Sequence, residues 1–392
     1  MNRAIIAVAL AGGVAALADL KVSTTYDQVG TPHDEVGTPY DQVGTPYDEV
    51  GTASQAGTAY AQGIADKAVV TDKAALVPTF RSAVPGPAKL EPAIKAASEL
   101  PRLHSLLVSQ RGTITLERYF NGRRETSPAN VKSVSKSIIA ALVGIAVDRR
   151  LLSLDQPIAK YFRDLPESKR AITIEDLLTM RSGLESTSSR NYGAWVQSPN
   201  WVRHALAKPL IAKPGEQMIY STGNSHVLSA ILTKATGKST WHFAQESLAK
   251  PLGFSLSPWM RDPQGIYFGG NEMVMTPRQM LAVGEMYRNG GQTSGRQILS
   301  KDFIDETFEP RGRSRISGRE YGYGWWIRDM DGRKTYYAWG FGGQYIVLVP
   351  SLELTVVSTS AATVSEDRRD HRRTVDEIIE QLIVAALDPR QD

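Results

Sequence analysis

A chain of 392 residues with 42% apolar and 22% charged side chains has the make-up of a soluble protein that can bury a large core. Its 45 basic and 41 acidic residues leave a net charge of +4, and its densest basic run, Arg368-Arg369-Asp370-His371-Arg372-Arg373, is broken by an acid, so no nucleic-acid surface is expected. The absence of cysteine excludes disulfides, thiolate metal sites and a cysteine nucleophile.

Residues 1–18 read as a secretory signal: Arg3, an apolar run, then Ala16-Leu17-Ala18 as a small-residue cleavage site. The run is too short to span a bilayer, so the mature chain is expected to be periplasmic or secreted with no membrane span. Residues 19–80 read as a flexible spacer. It carries four tandem heptapeptides at 26–53, Y-D-Q-V-G-T-P, H-D-E-V-G-T-P, Y-D-Q-V-G-T-P and Y-D-E-V-G-T-A. Glycine in every unit, and proline in three, exclude a coiled coil, and one valine per unit offers too little apolar surface to order the backbone.

Composition suited to a folded core begins near residue 85, and 81–392 form the expected folded domain. K-L-E-P-A-I-K-A-A-S-E-L opens it as a helix, and H-S-L-L-V-S-Q-R-G-T-I-T-L-E-R-Y-F follows as a hairpin turning at Arg111-Gly112. A mostly helical middle runs from Ser133 to about residue 290. Y-A-W-G-F-G-G-Q-Y-I-V-L-V-P and E-L-T-V-V-S-T-S read as a second pair of strands, and an amphipathic helix closes the chain. Strands at both ends with helices between them predict an α+β fold, one antiparallel sheet built from both termini and flanked by helices, with an inserted helical subdomain.

The stretch Ser133-Val134-Ser135-Lys136 leads into the apolar run I-I-A-A-L-V-G-I-A-V. Three residues is nearly one helical turn, so Ser133 and Lys136 share a face. A serine hydroxyl attacks only when a neighbouring base takes its proton, and a lysine serves as that base only if its ammonium is disfavoured. A buried helix N-terminus disfavours it, and free backbone N–H groups there suit a developing oxyanion. The four-residue pattern alone is a weak signal: it recurs at Ser247–Lys250, where Pro251 and Gly253 mark a helix end.

Two further boxes follow in order: P-G-E-Q-M-I-Y-S-T-G-N-S-H, with Tyr220, and the glycine-rich A-W-G-F-G-G-Q-Y-I-V-L-V-P. Together with L-L-T-M-R-S-G-L-E, M-T-P-R-Q-M-L-A-V-G-E-M-Y-R-N-G-G and Y-G-Y-G-W-W, they make residues 85–388 resemble the penicillin-recognising serine hydrolase superfamily. The tyrosine-led second box resembles the class C β-lactamase-like branch, which also holds carboxylesterases, DD-peptidases and 6-aminohexanoate-dimer hydrolases. The resemblance implies a β-lactamase/transpeptidase-like fold in which Ser133 forms an acyl-enzyme while Lys136 and Tyr220 shuttle its proton. It places the oxyanion on the backbone N–H groups of Ser133 and Phe341, the latter counted back from Pro350.

Two departures bear on substrate. The second box reads Tyr220-Ser221-Thr222 where the branch's β-lactamases carry Y-x-N, and Asn224 replaces that amide only in part. In the third box the family's Lys or His falls on Ala338, or on Trp339 in the neighbouring register. Penicillins and peptide C-termini therefore lose a carboxylate anchor. That favours an esterase or 6-aminohexanoate-dimer hydrolase acting on a small-molecule ester or amide; a β-lactamase or DD-peptidase is the alternative within enzymes, and a non-catalytic envelope binding protein the alternative outside them. Trp339, Gly340 and Asn224 are the candidate substrate contacts. Trp195, Trp201 and Tyr345 are further aromatic candidates, although aromatics more often report packing. His226 is a candidate for the cleft. The six histidines are widely spaced, and neither a metal nor a cofactor is expected. The sequence leaves the oligomeric state open.

Overall fold

The computed structural model describes residues 81–82 and 88–391. The expected signal segment and the heptapeptide repeats lie outside the described residues.

Nine strands form one sheet: β1 (Arg81–Ser82), β2 (Leu103–Gln110), β3 (Thr113–Tyr119), β4 (Gly312–Arg313), β5 (Glu320–Tyr321), β6 (Trp326–Met330), β7 (Arg333–Gly340), β8 (Gln344–Val349) and β9 (Leu354–Ser360). Their order is β1-β3-β2-β9-β8-β7-β6-β5-β4, so the N-terminal hairpin meets the C-terminal meander where β2 pairs antiparallel with β9. Every pairing is antiparallel except the two-residue edge strand β1, which runs parallel to β3. The hairpin turns at Arg111 and Gly112, both at positive φ (53° and 74°), the conformation a two-residue turn needs to match strand twist.

Five longer helices frame this sheet: α1 (Glu91–Ser98), α2 (Ser135–Asp148), α3 (Thr222–Thr236), α4 (Pro277–Arg288) and α5 (Arg368–Glu377). The sheet is covered on both faces, and the alternation along each strand sorts side chains between two cores. Ile346, Leu348 and Val357 join α2, α3 and α4 on one side, while Val347, Val349 and Val356 join α1 and the C-terminal helix on the other. All six residues of β8 and all seven of β9 are therefore buried. A strand buried on both faces loses the apolar–polar alternation that marks a half-exposed one.

The expected second pair of strands is more extensive than the sequence reading. The glycine-rich segment is not one strand but β7, a three-residue turn at Phe341-Gly342-Gly343, and β8. Gly342 and Gly343 sit at φ 86° and 99°, where side chains with a Cβ are strained, so the glycines serve the reversal. Among the described residues no helix is long and apolar enough to cross a membrane.

Candidate active site

Ser133 sits in a single 3-10 turn, Lys132–Val134, that runs directly into α2. Lys132 adopts φ 50°, a left-handed conformation rare for a residue with a side chain, and its N–H donates to Asn130 Oδ1 at 3.0 Å. Ser135 Oγ closes the turn by donating to the Lys132 carbonyl at 2.6 Å. Twelve residues of α2 are buried, so the turn is anchored to a helix that cannot rotate out of the core.

Lys136 Nζ lies 2.8 Å from Ser133 Oγ and donates to the Gly270 carbonyl at 2.7 Å. The lysine is 3% exposed, and burial pushes its pKa down to about 7. Among the described residues no carboxylate pairs with it, so the amine is held poised between its two forms near neutral pH. The spacing read from the sequence thus brings together a hydroxyl and a base.

Tyr220 comes from the segment before α3. Ile219 N–H donates to the Met180 carbonyl at 2.7 Å and Ser186 Oγ to the Tyr220 carbonyl at 2.7 Å, which fixes the backbone. Its ring stacks on Trp326 at 5.5 Å and meets the edge of Tyr321 at 6.1 Å. The Lys136 ammonium position lies 5.0 Å from the ring centroid. Burial pushes the phenol well above its usual range, partly offset by a hydrogen bond with Ser133. A phenol so shifted is protonated at neutral pH and enters as a donor.

Ser133 and Tyr220 border a cleft, with Lys136 buried behind them. Ser188, Ser189, Thr222 and Asn271 contribute polar groups to its lining, and Tyr192, Trp339, Phe341 and Val364 contribute apolar surface. Ser133 and Phe341 both border the cleft, as the oxyanion assignment requires. Trp339 faces the cleft, with the Arg372 guanidinium 5.8 Å from its ring, whereas Ala338 is buried in the α2-side core. Gly340 does not line the cleft. A Cβ there would stand 2.3 Å from the Val131 carbonyl and 3.1 Å from Lys132 Cβ, so the glycine lets β7 pack against the turn that holds Ser133.

Several expected contacts fall elsewhere. Asn224 points away from the cleft to Ser182 Oγ at 3.2 Å and is 2% exposed; Thr222, two residues earlier on α3, takes the cleft position. His226, Trp195 and Trp201 are core residues, with His226 Nε2 3.0 Å from Asp262 Oδ2 and its ring 5.9 and 5.4 Å from the two indoles. Tyr345 is buried in the core on the α1 side of the sheet, on the face it shares with its cross-strand partner Trp339, and does not line the cleft. Sequence reading passed over Lys132, Tyr192, Gly270, Asn271 and Glu272. The pair Gly269-Gly270 carried a signal for the last three: a Cβ on Gly269 would stand 2.0 Å from the Ser225 carbonyl, a close approach between α3 and this loop that only glycine permits.

Likeness to known proteins follows the same outline. An uncharacterised protein of Alkalihalophilus pseudofirmus is 21% identical over 291 residues, covering 67% of this chain and 86% of its own. A structure named as a 6-aminohexanoate-dimer hydrolase from Bacillus anthracis superposes with a TM-score of 0.63 at 19% identity, over 78% of this chain and 88% of that one. A family VIII carboxylesterase gives 0.59 at 15% identity, over 75% and 98%. At these identities the structural likeness carries the fold, which is the β-lactamase-like α+β fold expected from the sequence. Residues 104–380, from within β2 to the C-terminal helical segment, match the family model described as Beta-lactamase, and the chain belongs to that family.

Proposed function

We propose that the protein is a serine hydrolase that cleaves neutral esters or small amides through an acyl-enzyme on Ser133. The observation that carries this reading is the buried Lys136 amine, 2.8 Å from the Ser133 hydroxyl and with a pKa pushed down to about 7. A binding protein gains nothing from so costly a group beside a serine.

In acylation Lys136 takes the Ser133 proton as Oγ attacks the carbonyl carbon. The oxyanion that develops meets the backbone N–H groups of Ser133 and Phe341. Tyr220, protonated and hydrogen-bonded to Ser133, gives its proton to the leaving alkoxide or amine and is recharged from Lys136. Water then attacks the acyl-enzyme by the reverse route, with the amine again the base.

The cleft wall supports a neutral substrate. Among the described residues that line it, the one charged side chain is Lys132, already paired with Glu272 at 2.9 Å. A substrate carboxylate would find no cation in the third box, where Trp339 stands, and losing one such contact weakens recognition by roughly 2–5 kcal/mol. The aromatic and hydroxyl walls suit an apolar acyl chain ending in a polar amide or ester, the chemistry that the 6-aminohexanoate-dimer hydrolase and carboxylesterase neighbours are named for. The action outside the cytoplasm rests on residues 1–18, and fractionation of expressing cells checks it.

The test treats purified protein with a fluorophosphonate probe and with a fluorescent penicillin, beside Ser133→Ala. Labelling by the first alone, lost in the variant, is expected. Labelling by both revives the lactam reading, and labelling by neither ends the hydrolase reading.

A further inference from the structure

Two left-handed residues face each other across the nucleophile. Lys132, next to Ser133, has φ 50°, and Glu272, two residues after Gly270, has φ 65°. Their side chains form a buried ion pair, Nζ to Oε1 2.9 Å, each 5% exposed. Asn130 bridges the same two residues: its Oδ1 accepts from the Lys132 N–H and its Nδ2 donates to the other Glu272 oxygen. Around this pair the two turns are laced by backbone, with Val131 N–H donating to the Met273 carbonyl at 2.9 Å and Asn130 pairing with Val274. What the turns carry is significant. One presents Ser133 Oγ and the other the Gly270 carbonyl, and those are the two groups that Lys136 Nζ touches, at 2.8 and 2.7 Å.

We propose that Lys132 and Glu272 are positioning residues whose buried ion pair sets the gap between the nucleophile turn and the 270–273 turn. That gap lets one amine contact Ser133 and Gly270 at once. Neither residue touches the reacting atoms. The left-handed backbone is needed to turn the Lys132 side chain toward Glu272 while Ser133 turns toward the cleft. Without the tether both turns relax, the Gly270 carbonyl withdraws, and the amine loses its aim at Ser133. Asn271, between the two turn residues, donates from Nδ2 to the Tyr192 hydroxyl at 2.9 Å, a contact the ion pair does not make and the cleft keeps without it.

The inference rests on Ser133 being the nucleophile, and the experiment separates the two. Wild-type labelling by a fluorophosphonate reports whether Ser133 reacts; the ratio of variant to wild type reports on the clamp. Removing one partner alone would strand a buried charge and confuse positioning with stability, so the variant of choice is the double Lys132→Met/Glu272→Gln, which leaves none. It keeps the Asn130 contact and should fold, as near-UV circular dichroism will show. Its labelling rate constant and its kcat on a p-nitrophenyl ester are expected to fall at least about tenfold, while KM moves less than about threefold, the signature of a misaligned nucleophile in an intact cleft. Lys132→Arg, which keeps the pair, should stay within about threefold of wild type. A folded double variant that labels within about threefold of wild type overturns the proposal. If the double variant does not fold, Glu272→Asp, which draws the carboxylate back by one methylene, takes its place under the same two thresholds.

Discussion

The cost of the chemistry is concentrated in one residue. An unfolded lysine titrates near 10.5, whereas Lys136 in the folded protein is pushed down to about 7, solely by burial. Between those values the unfolded chain binds more protons than the folded one, so the penalty is absent above pH 10.5, grows as pH falls to about 7, and is constant below. Lys136→Met should therefore stabilise the protein at pH 7 by roughly 1–3 kcal/mol, after the lost hydrogen bonds to Ser133 and Gly270 are counted, while abolishing acylation. Urea unfolding at pH 7 and pH 10 checks the sign: the advantage of the variant must shrink at the higher pH. The same shift predicts an acidic limb in kcat/KM with a midpoint near pH 7, because the ammonium cannot accept the Ser133 proton. Tyr220→Phe keeps the ring stacked on Trp326 and removes the proton donor, and should slow acylation by roughly 10²–10⁴-fold without loss of stability.

At the scale of elements, the site depends on β7 lying directly against the turn that holds Ser133, and Gly340 is the contact that allows it. A methyl group added there meets the Val131 carbonyl at 2.3 Å, and backbone cannot yield as a side chain does. Gly340→Ala is expected to cost about 1–3 kcal/mol of stability, as overpacking does. It should slow fluorophosphonate labelling by about 100-fold, because Phe341 and Ser133 no longer share one oxyanion site. Labelling at the wild-type rate would show that the sheet does not set the oxyanion geometry. Such a contact also marks how far the sequence is legible. Ser133 and Lys136 are three residues apart, so helix geometry alone places them, and Tyr220 follows from the order of the boxes. Lys132 and Glu272 are 140 residues apart, and nothing local to either says that they meet. Trp195, Trp201 and His226 were readable as aromatic and polar candidates near the boxes. Which way they face is decided by α3, whose buried side takes His226 and Asn224 and whose first turn alone, at Thr222, reaches the cleft. The strands failed in the opposite sense: β8 and β9, buried on both faces, signalled their presence clearly, but the break at 341–343 needed turn glycines to be distinguished from strand glycines.

Among the described residues the fold closes by joining its first and last long strands, β2 and β9, in one sheet, and the seam between them is where it should be most sensitive to acid. His104 on β2 and His371 on α5 are both pushed down to about 4, chiefly by burial; Arg123 and then His371 lower His104 further, and Arg102 lowers His371. Both ring nitrogens of His371 are buried with no hydrogen-bond partner among the described residues, so its imidazole is packed as a neutral group beside the Gly343 turn. His226 is also lowered by burial, although Asp262 opposes the shift, and it anchors the loop that carries Gly270. For each, the folded pKa lies below the unfolded value of 6.5. The stability is fully present above 6.5 and is lost as pH falls toward 4, where the unfolded chain takes up protons the folded one resists. Allowing for solvent screening at the seam, the thermal midpoint should fall by roughly 3–6 °C between pH 6.5 and pH 4.5. His371→Leu, which fills the same site without a titratable ring, should flatten that fall while leaving the midpoint at pH 7 little changed. A wild-type midpoint that is level across this range would show that the seam hydrates and protonates without opening, and that the sheet's join is not the acid-sensitive part of the fold.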